Sequence, residues 1–371
     1  MTDPSLPSLP VAKLDGHDGP VQVVRFTNDG KYCLTGGHDR TVRLWNPFRV
    51  DPAFTTVGAD SMLSSSFVAP GRETNSNPPP QEQEQLPPCL LIQNYSSGHT
   101  HPISAVAATE SATGQQLLLA ASEKTLVVSD LVANRVLRRL QGHHVARINA
   151  VAASDRGDVF LTASYDGTVA LWDGRSRDYK PMQVFKEAKD SVTDVHTVQK
   201  TIGDGGKTAL IRTASVDGCV RSYDLRSGLI NCDHFGSPIT SMAPTHDGQC
   251  LVVACLDGTI RLVEVESGEL MNTYHGSHQS GRYSLEVSIL ASDATIATGS
   301  EDGACVLYDL VRANCVQKLE GITTAPTCSL STHPKKASVL VNASYDGSTT
   351  IWSNDAAPWL NQLVVEDVGV D

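Results

Sequence analysis

Apolar and polar positions alternate in short stretches along the 371-residue chain, the period of strands rather than of helices. Residues 21–26 (VQVVRF), 32–35 (YCLT) and 41–45 (TVRLW) are each one strand long. They are rich in the β-branched and aromatic side chains that pack well on a pleated, half-buried surface. One pattern then recurs: a small residue, a variable one, Asp-Gly or Asp-Arg, an alternating strand, and an aromatic that is often followed by an acid. It reads GHDRTVRLWN from Gly37, SYDGTVALWD from Ser164, SVDGCVRSYD from Ser215, CLDGTIRLVE from Cys255, SEDGACVLYD from Ser300 and SYDGSTTIWS from Ser344. A degenerate seventh copy, SEKTLVVSD, starts at Ser122. Successive turns lie 85, 42, 51, 40, 45 and 44 residues apart, the first gap being one repeat plus an insertion of similar length.

Asp-Gly between alternating segments predicts a tight hairpin, because Gly accepts positive φ and the Asp side chain bonds its own turn. Each repeat is therefore a β-meander, and a fourth strand follows the aromatic, as at 136–140 (VLRRL) and 315–319 (CVQKL). A four-stranded sheet has two apolar faces, and packing such sheets radially buries both while leaving only short edges. The predicted fold is all-β: a seven-bladed propeller of four-stranded antiparallel blades over residues 11–353. The last repeat has no outer strand of its own, and residues 11–14 hold that place in the repeat, so the N-terminal strand is expected to close the ring. Residues 1–10 are read as a flexible N-terminus and 354–371 as an acidic C-terminal tail. Residues of about 50–88, rich in Pro, Ser, Gln and Glu, are read as a disordered insertion, since they cannot offset their ordering entropy. A shorter insertion at 201–208 explains the gap of 51.

A period of ~40 to 45 residues with this signature resembles the WD-repeat propellers. Within them, five segments are similar to the mitogen-activated protein kinase organizer family. These are VRFTNDGKYCLTGGHDRTVRLWNP from Val24, ARINAVAASDRGDVFLTASYDGTVALWDGRSR from Ala146, ASVDGCVRSYDLRSG from Ala214, GSPITSMAPTHDGQCLVVACLDGTIRLVEVESGEL from Gly236 and SEDGACVLYDL from Ser300. The match runs from about residue 13 to 353. The resemblance implies a non-catalytic scaffold that needs no cofactor. Its partners would be components of the extracellular-signal-regulated kinase cascade, or splicing factors of the catalytic-stage spliceosome. It also implies a monomeric ring inside larger complexes, in the cytoplasm, the nucleus or both. The insertion after residue 50 and the degenerate second repeat depart from the family and bear on any partner site in blades one and two.

Composition narrows the chemistry. A net charge of −12 is the wrong sign for holding phosphate backbone and argues against direct nucleic-acid binding. No apolar run approaches the ~18 residues of a membrane span. Nine scattered cysteines without a Cys-x-x-Cys pair give neither a disulfide framework nor a zinc site, and read as small core residues. Gly206-Lys207-Thr208 lacks the upstream glycine and the helix of a phosphate loop. No nucleophile elbow, metalloprotease helix or kinase motif set is present, so an enzyme with its site at the propeller centre is the least favoured alternative.

The histidines that open blades fit a structural tetrad in which the imidazole bonds the turn Asp and a hydroxyl links it to the indole. It is assembled from His17, Thr35, Asp39 and Trp45 in blade one, and from His143, Thr162, Asp166 and Trp172 in blade three. Two positions per repeat are expected to face the central axis, where partners would bind. They give His38, Tyr165, Glu301 and Tyr345 just before the turn Asp, and Gln22, Arg147, Asn149 and Arg282 after the blade-opening histidine. Exposed Tyr and Arg are the types that dominate binding, which singles out Tyr165, Tyr345, Arg147 and Arg282. Trp172-Asp173-Gly174-Arg175 and Tyr223-Asp224-Leu225-Arg226 resemble the aromatic-Asp-x-Arg box of cullin-4 ubiquitin ligase receptors, an alternative function. Arg135, Arg138, Arg139 and Arg147 form the one basic concentration in the acidic chain.

Overall fold

A computed structural model describes residues 6–54 and 86–354, apart from 97, 112–113, 155, 177, 202–206, 321–322 and 324. Its strands form seven four-stranded antiparallel sheets arranged as the blades of a propeller. Blades one to six span 21–95, 103–140, 148–185, 192–234, 239–274 and 287–319. Blade seven takes three strands from 327–353 and its fourth from Leu9–Lys13. The core is a cycle of apolar seams, one between each pair of neighbours. Leu34 and Leu44 meet Ile103 and Leu118 between blades one and two, and Val11 and Ile351 meet Val24 and Trp45 where the ring closes. Each blade turns both faces to a neighbour, which is why consecutive residues such as 160–164 are all buried.

The closing strand is longer than the sequence implied. Leu9 pairs with Ser353 and Lys13 with Thr350, while Leu6 is buried in the seam that holds Trp352. Residues 6–10 are therefore part of the ring and not a flexible arm; 1–5 lie outside the described residues. In blade one the third strand runs on to Val50, which pairs with Cys89, so the edges of the predicted insertion are ordered and its remainder, 55–85, falls outside the described residues. The tail from 355 onward does so too. The shorter insertion prolongs a hairpin, with Thr201 opposite Lys207 and Thr208 opposite Lys200 in an ordinary strand ladder.

Two local readings change. The cysteines are all free, but only Cys33, Cys89, Cys255, Cys305 and Cys328 are core residues, whereas Cys232 and Cys315 are exposed on outer strands. The blade-one turn carries Arg40 at φ 65, where the equivalent turns of blades three to seven place glycine at φ of 77 to 90. A left-handed Arg there is strained, because its Cβ crowds the backbone.

Candidate functional site: the axial loop face

The turn Asp and the loop entering each blade lie at the same end of the ring, and the tetrads hold that end in shape. In blade one the Trp45 indole N–H donates to Thr35 Oγ1 at 2.8 Å, the Thr35 hydroxyl lies 2.6 Å from His17 Nε2, and His17 Nδ1 lies 2.9 Å from Asp39 Oδ2. The indole occupies a lone pair of the hydroxyl, so the hydroxyl proton points to Nε2 and the imidazole proton sits on Nδ1 facing the carboxylate. Burial outweighs Asp39 and lowers the His17 pKa, which keeps this neutral tautomer.

Blade three builds the same chain with a different histidine. His144, not His143, lies 2.7 Å from Thr162 Oγ1 and 3.3 Å from Asp166 Oδ2, and the Trp172 indole donates to Thr162 at 3.0 Å. His143 stacks edge-on against Trp172 instead, its Nε2 buried without a protein partner. His144 stands 22 residues before Asp166, as His17 stands 22 before Asp39, a spacing that distinguishes the two candidates.

Where the opening histidine is missing, another cation takes its place. Arg221 grips Asp217 through two hydrogen bonds of 3.2 and 2.7 Å, holding its carboxyl down at about 2 against the cost of burial. Arg261 pairs with Asp257 at 3.0 Å, and Lys318 reaches Asp302 at 2.8 Å from the outer strand of blade six. In blade seven Thr323 bonds Asp346, and Asn342 accepts the Trp352 indole N–H at 2.8 Å. Blade six also keeps a histidine: His278 Nδ1 lies 2.8 Å from the Tyr308 hydroxyl. In blade two, which has no turn Asp, His99 Nδ1 lies 2.9 Å from Ser122 Oγ. The Asp-x-x-x-Arg spacing at 217–221 and 257–261 was readable in the sequence; it recurs at 39–43, where Arg43 lies 3.4 Å from Asp39 beside His17 and adds to the histidine instead of replacing it.

The second residue of five of the inner strands has a role that the sequence did not suggest. Ser104 Oγ donates to the Ile148 carbonyl at 2.6 Å, Asn149 Nδ2 to that of Val192 at 2.8 Å, and Thr193 Oγ1 to that of Ile239 at 3.0 Å. Thr240 Oγ1 and Cys328 Sγ continue the series to Leu285 and Val21, both at 3.2 Å. These bonds tie blade two to three, three to four, four to five, five to six and seven to one. Asn149 is thereby committed within the ring, where the sequence placed it at the partner face. Gln22 holds the matching position in blade one, and its side chain accepts instead from Arg147 of blade three at 3.1 Å, over the top of blade two. Deeper inside, Arg25 of blade one makes a bidentate pair with Glu286 of blade six, both bonds 2.8 Å, and Ser329 of blade seven donates to the same carboxylate at 2.7 Å. Arg25 keeps 37% of its side-chain surface despite being surrounded by protein, as a group lining an open axial channel does.

Around that channel mouth stand several of the expected contact residues. Tyr165 is 66% exposed. Tyr345 packs on Tyr283 with ring centroids 5.5 Å apart, and burial pushes its phenol up to about 12. Arg147, Arg282 and His38 are exposed. Glu301 is not free: its Oε1 accepts the Arg282 and Tyr283 amides at 2.6 and 3.0 Å and so shapes the loop that presents them. Tyr283 was missed by the sequence reading because only the fold shows it stacked on Tyr345. Arg147 belongs to this face and not with Arg138 and Arg139 on the outer strand Arg135–Leu140.

At the opposite end of the blades the two aromatic-Asp-x-Arg segments form turns. Asp173 accepts the Arg175 amide and Asp224 the Arg226 amide, each at 2.8 Å, while Trp172 is committed to its tetrad and the Tyr223 hydroxyl donates to Glu187 at 3.2 Å. Arg175, 74% exposed, Arg226 and Leu225 project from these turns. Among the described residues no group of three or more His, Cys, Asp and Glu side chains could hold a metal, and no helix is long and apolar enough to cross a membrane.

Seven meandering blades closed by an N-terminal strand, with Trp, Thr, His and Asp chains at the turns, define a WD-repeat β-propeller. The model for the WD domain, G-beta repeat, matches residues 8–46 and 134–173, and that for the anaphase-promoting complex subunit 4 WD40 domain matches 229–291. WD repeat domain-containing protein 83 of Rattus norvegicus is 32% identical over 352 residues, covering 95% of this chain and 94% of its own. The protein of that name from Homo sapiens is 32% identical over 353 residues, with the same coverage. The Dictyostelium discoideum homolog is 27% identical over 358 residues, 91% of this chain and 96% of its own. The chain belongs to this family of WD-repeat proteins, a likeness that supports a protein-interaction scaffold.

Proposed function

We propose that the chain is an adaptor that gathers components of the extracellular-signal-regulated kinase cascade and factors of the catalytic-stage spliceosome on its axial loop face. The observation that carries this reading is the make-up of the channel mouth: the Tyr345–Tyr283 pair, exposed Tyr165, and Arg147 reaching across to Gln22. Large aromatic and guanidinium groups held in place by their own loops lose little entropy on binding, which is what makes them strong contact residues. The near full-length likeness to the WD repeat domain-containing protein 83 relatives supports a shared scaffold role, and a cytoplasmic and nuclear distribution goes with the two partner sets. The test is affinity purification with mass spectrometry on wild type and on alanine variants at Tyr165, Tyr345, Arg147 and Arg282. Each should weaken partner binding by about 1 to 3 kcal/mol with thermal stability nearly unchanged. Recovery of every partner at wild-type level by all four variants defeats the axial-face reading. Absence of kinase-cascade and splicing proteins from the wild-type sample defeats the choice of partners.

The exposed Arg175 head keeps the cullin-4 receptor reading open to a direct check. A pull-down with the ligase adaptor, comparing wild type with the Arg175→Ala, Arg226→Ala double variant, decides it: no enrichment with either ends that reading.

A further inference from the structure

The outer strands of the seven blades lie at sheet edges, and they are not chemically alike. Arg135–Leu140 of blade two (RVLRRL) is the only one of them that contains arginine, and it contains three, in a chain whose net charge is −12. Beside it the chain leaving the third strand of blade three rises to form a second wall, carrying Tyr179, which is 64% exposed. Between the two walls lies an open groove of about 470 Å³, lined by Val136, Leu137, Arg138, Arg139, Gln141 and Tyr179.

The groove is built asymmetrically. Arg139 leans away, its Nη1 donating to the Gly98 carbonyl at 2.9 Å. Arg138 leans across, its Nη2 donating to the Asp173 carbonyl at 3.0 Å, which fixes the guanidinium against blade three. Its other terminal nitrogen, Nη1, is buried and has no protein partner among the described residues. A guanidinium whose hydrogen bonds are incompletely satisfied by protein keeps its attraction for an oxygen anion placed beside it. Burial lowers the Arg138 pKa, with Asp173 and Tyr179 opposing, so the cation is under-solvated where it stands. The apolar Val136 and Leu137 and the Tyr179 ring supply the remaining contact that an extended segment needs.

We propose that this groove is a second partner site, which takes an acidic extended segment of another protein and seats one carboxylate or phosphate group beside the Arg138 guanidinium that lines it. It lies on the outer rim, away from the axial face, and it stands whether or not the partners proposed for that face are right. Charge complementarity selects the occupant: a basic, arginine-bearing groove holds an anionic segment.

Fluorescence anisotropy with the full chain tests it, using a labelled Ser-Glu repeat octapeptide, its phosphoserine counterpart, and a Ser-Gln control. The acidic peptides should bind saturably and the control should not; the tighter of the two acidic peptides tells carboxylate from phosphate. Arg138→Gln should weaken binding at least tenfold, and Tyr179→Ala, at an exposed position that leaves the fold alone, several-fold. Arg135→Gln, outside the groove lining, should change it less than twofold. The proposal is overturned if the acidic peptides do not bind, if the control binds equally well, or if Arg135→Gln weakens binding as much as Arg138→Gln. It is overturned as well if a labelled oligouridylate binds more tightly than either acidic peptide, which would make the groove an RNA site.

Discussion

Replacing Thr162 by valine removes one hydroxyl from the middle of the blade-three chain and changes almost no volume. Thr162 is fully buried, and its Oγ1 serves both the Trp172 indole at 3.0 Å and His144 Nε2 at 2.7 Å. The valine leaves an indole N–H and an imidazole nitrogen in the core without partners, about 1 to 3 kcal/mol each, so the expected loss is about 2 to 6 kcal/mol. Thr162→Ser keeps the hydroxyl and loses one methyl, about 1 kcal/mol. Urea unfolding followed by circular dichroism compares the two variants, and in the valine variant the Trp172 indole proton should also shift upfield in the NMR spectrum. At roughly 2 °C per kcal/mol the melting temperature should fall by about 4 to 12 °C. A valine variant within about 0.5 kcal/mol of the serine variant would show that the chain of hydrogen bonds adds nothing to the blade, and the account of the tetrads would fail.

Three further outcomes are expected. Deleting residues 1–15 strips blade seven of buried Leu6, Val11 and Leu14, about 5 to 9 kcal/mol of apolar burial, which is comparable to the whole stability of a folded domain; a soluble, cooperatively melting truncated chain would refute ring closure by this strand. Burial, helped by Arg139, lowers His99 from 6.5 to about 4, so its contribution is fully present above pH 6.5 and is lost as pH falls from there to 4. That loss is about 2 kcal/mol after allowing for the solvent that still reaches the ring, and in His99→Gln, measured by urea unfolding at pH 7.5, 5.5 and 4.5, the slope should flatten. Replacing residues 55–85 by a short Gly-Ser linker should shift the melting temperature by no more than about 4 °C, because Val50 and Cys89 already bring the two ends together; aggregation would show that the insertion packs on the ring.

What the sequence made legible is what repeats locally. The Asp-Gly turns, the alternating strands and the vacant outer position after Trp352 were enough for seven blades and for their closure by the N-terminus. The adjacent His143 and His144 could not be separated by motif alone, because both follow a glycine within two residues, although counting back from Asp166 separates them. Asn149 was misplaced for a deeper reason: its partner is a backbone carbonyl of the next blade, and main-chain acceptors leave no trace in side-chain patterns. Arg147 and Arg138 looked like neighbours in the sequence, yet the loop between them carries one to the axis and leaves the other on the rim.

The clasp between Leu9 and Ser353 also sets a timetable. The closing strand leaves the ribosome before every other strand of the ring, and its partner follows about 340 residues later. At roughly 5 to 20 residues per second, Val11, Ala12 and Leu14 stay uncovered for roughly 20 to 70 s, while the six blades between them are synthesised. Bringing such distant ends together costs about 5 kcal/mol of chain entropy, so the clasp forms last, after neighbouring blades have curved the chain towards closure. Until then the ring is an open arc with an apolar edge at each end, the form most exposed to capture by chaperones and to joining another unfinished copy.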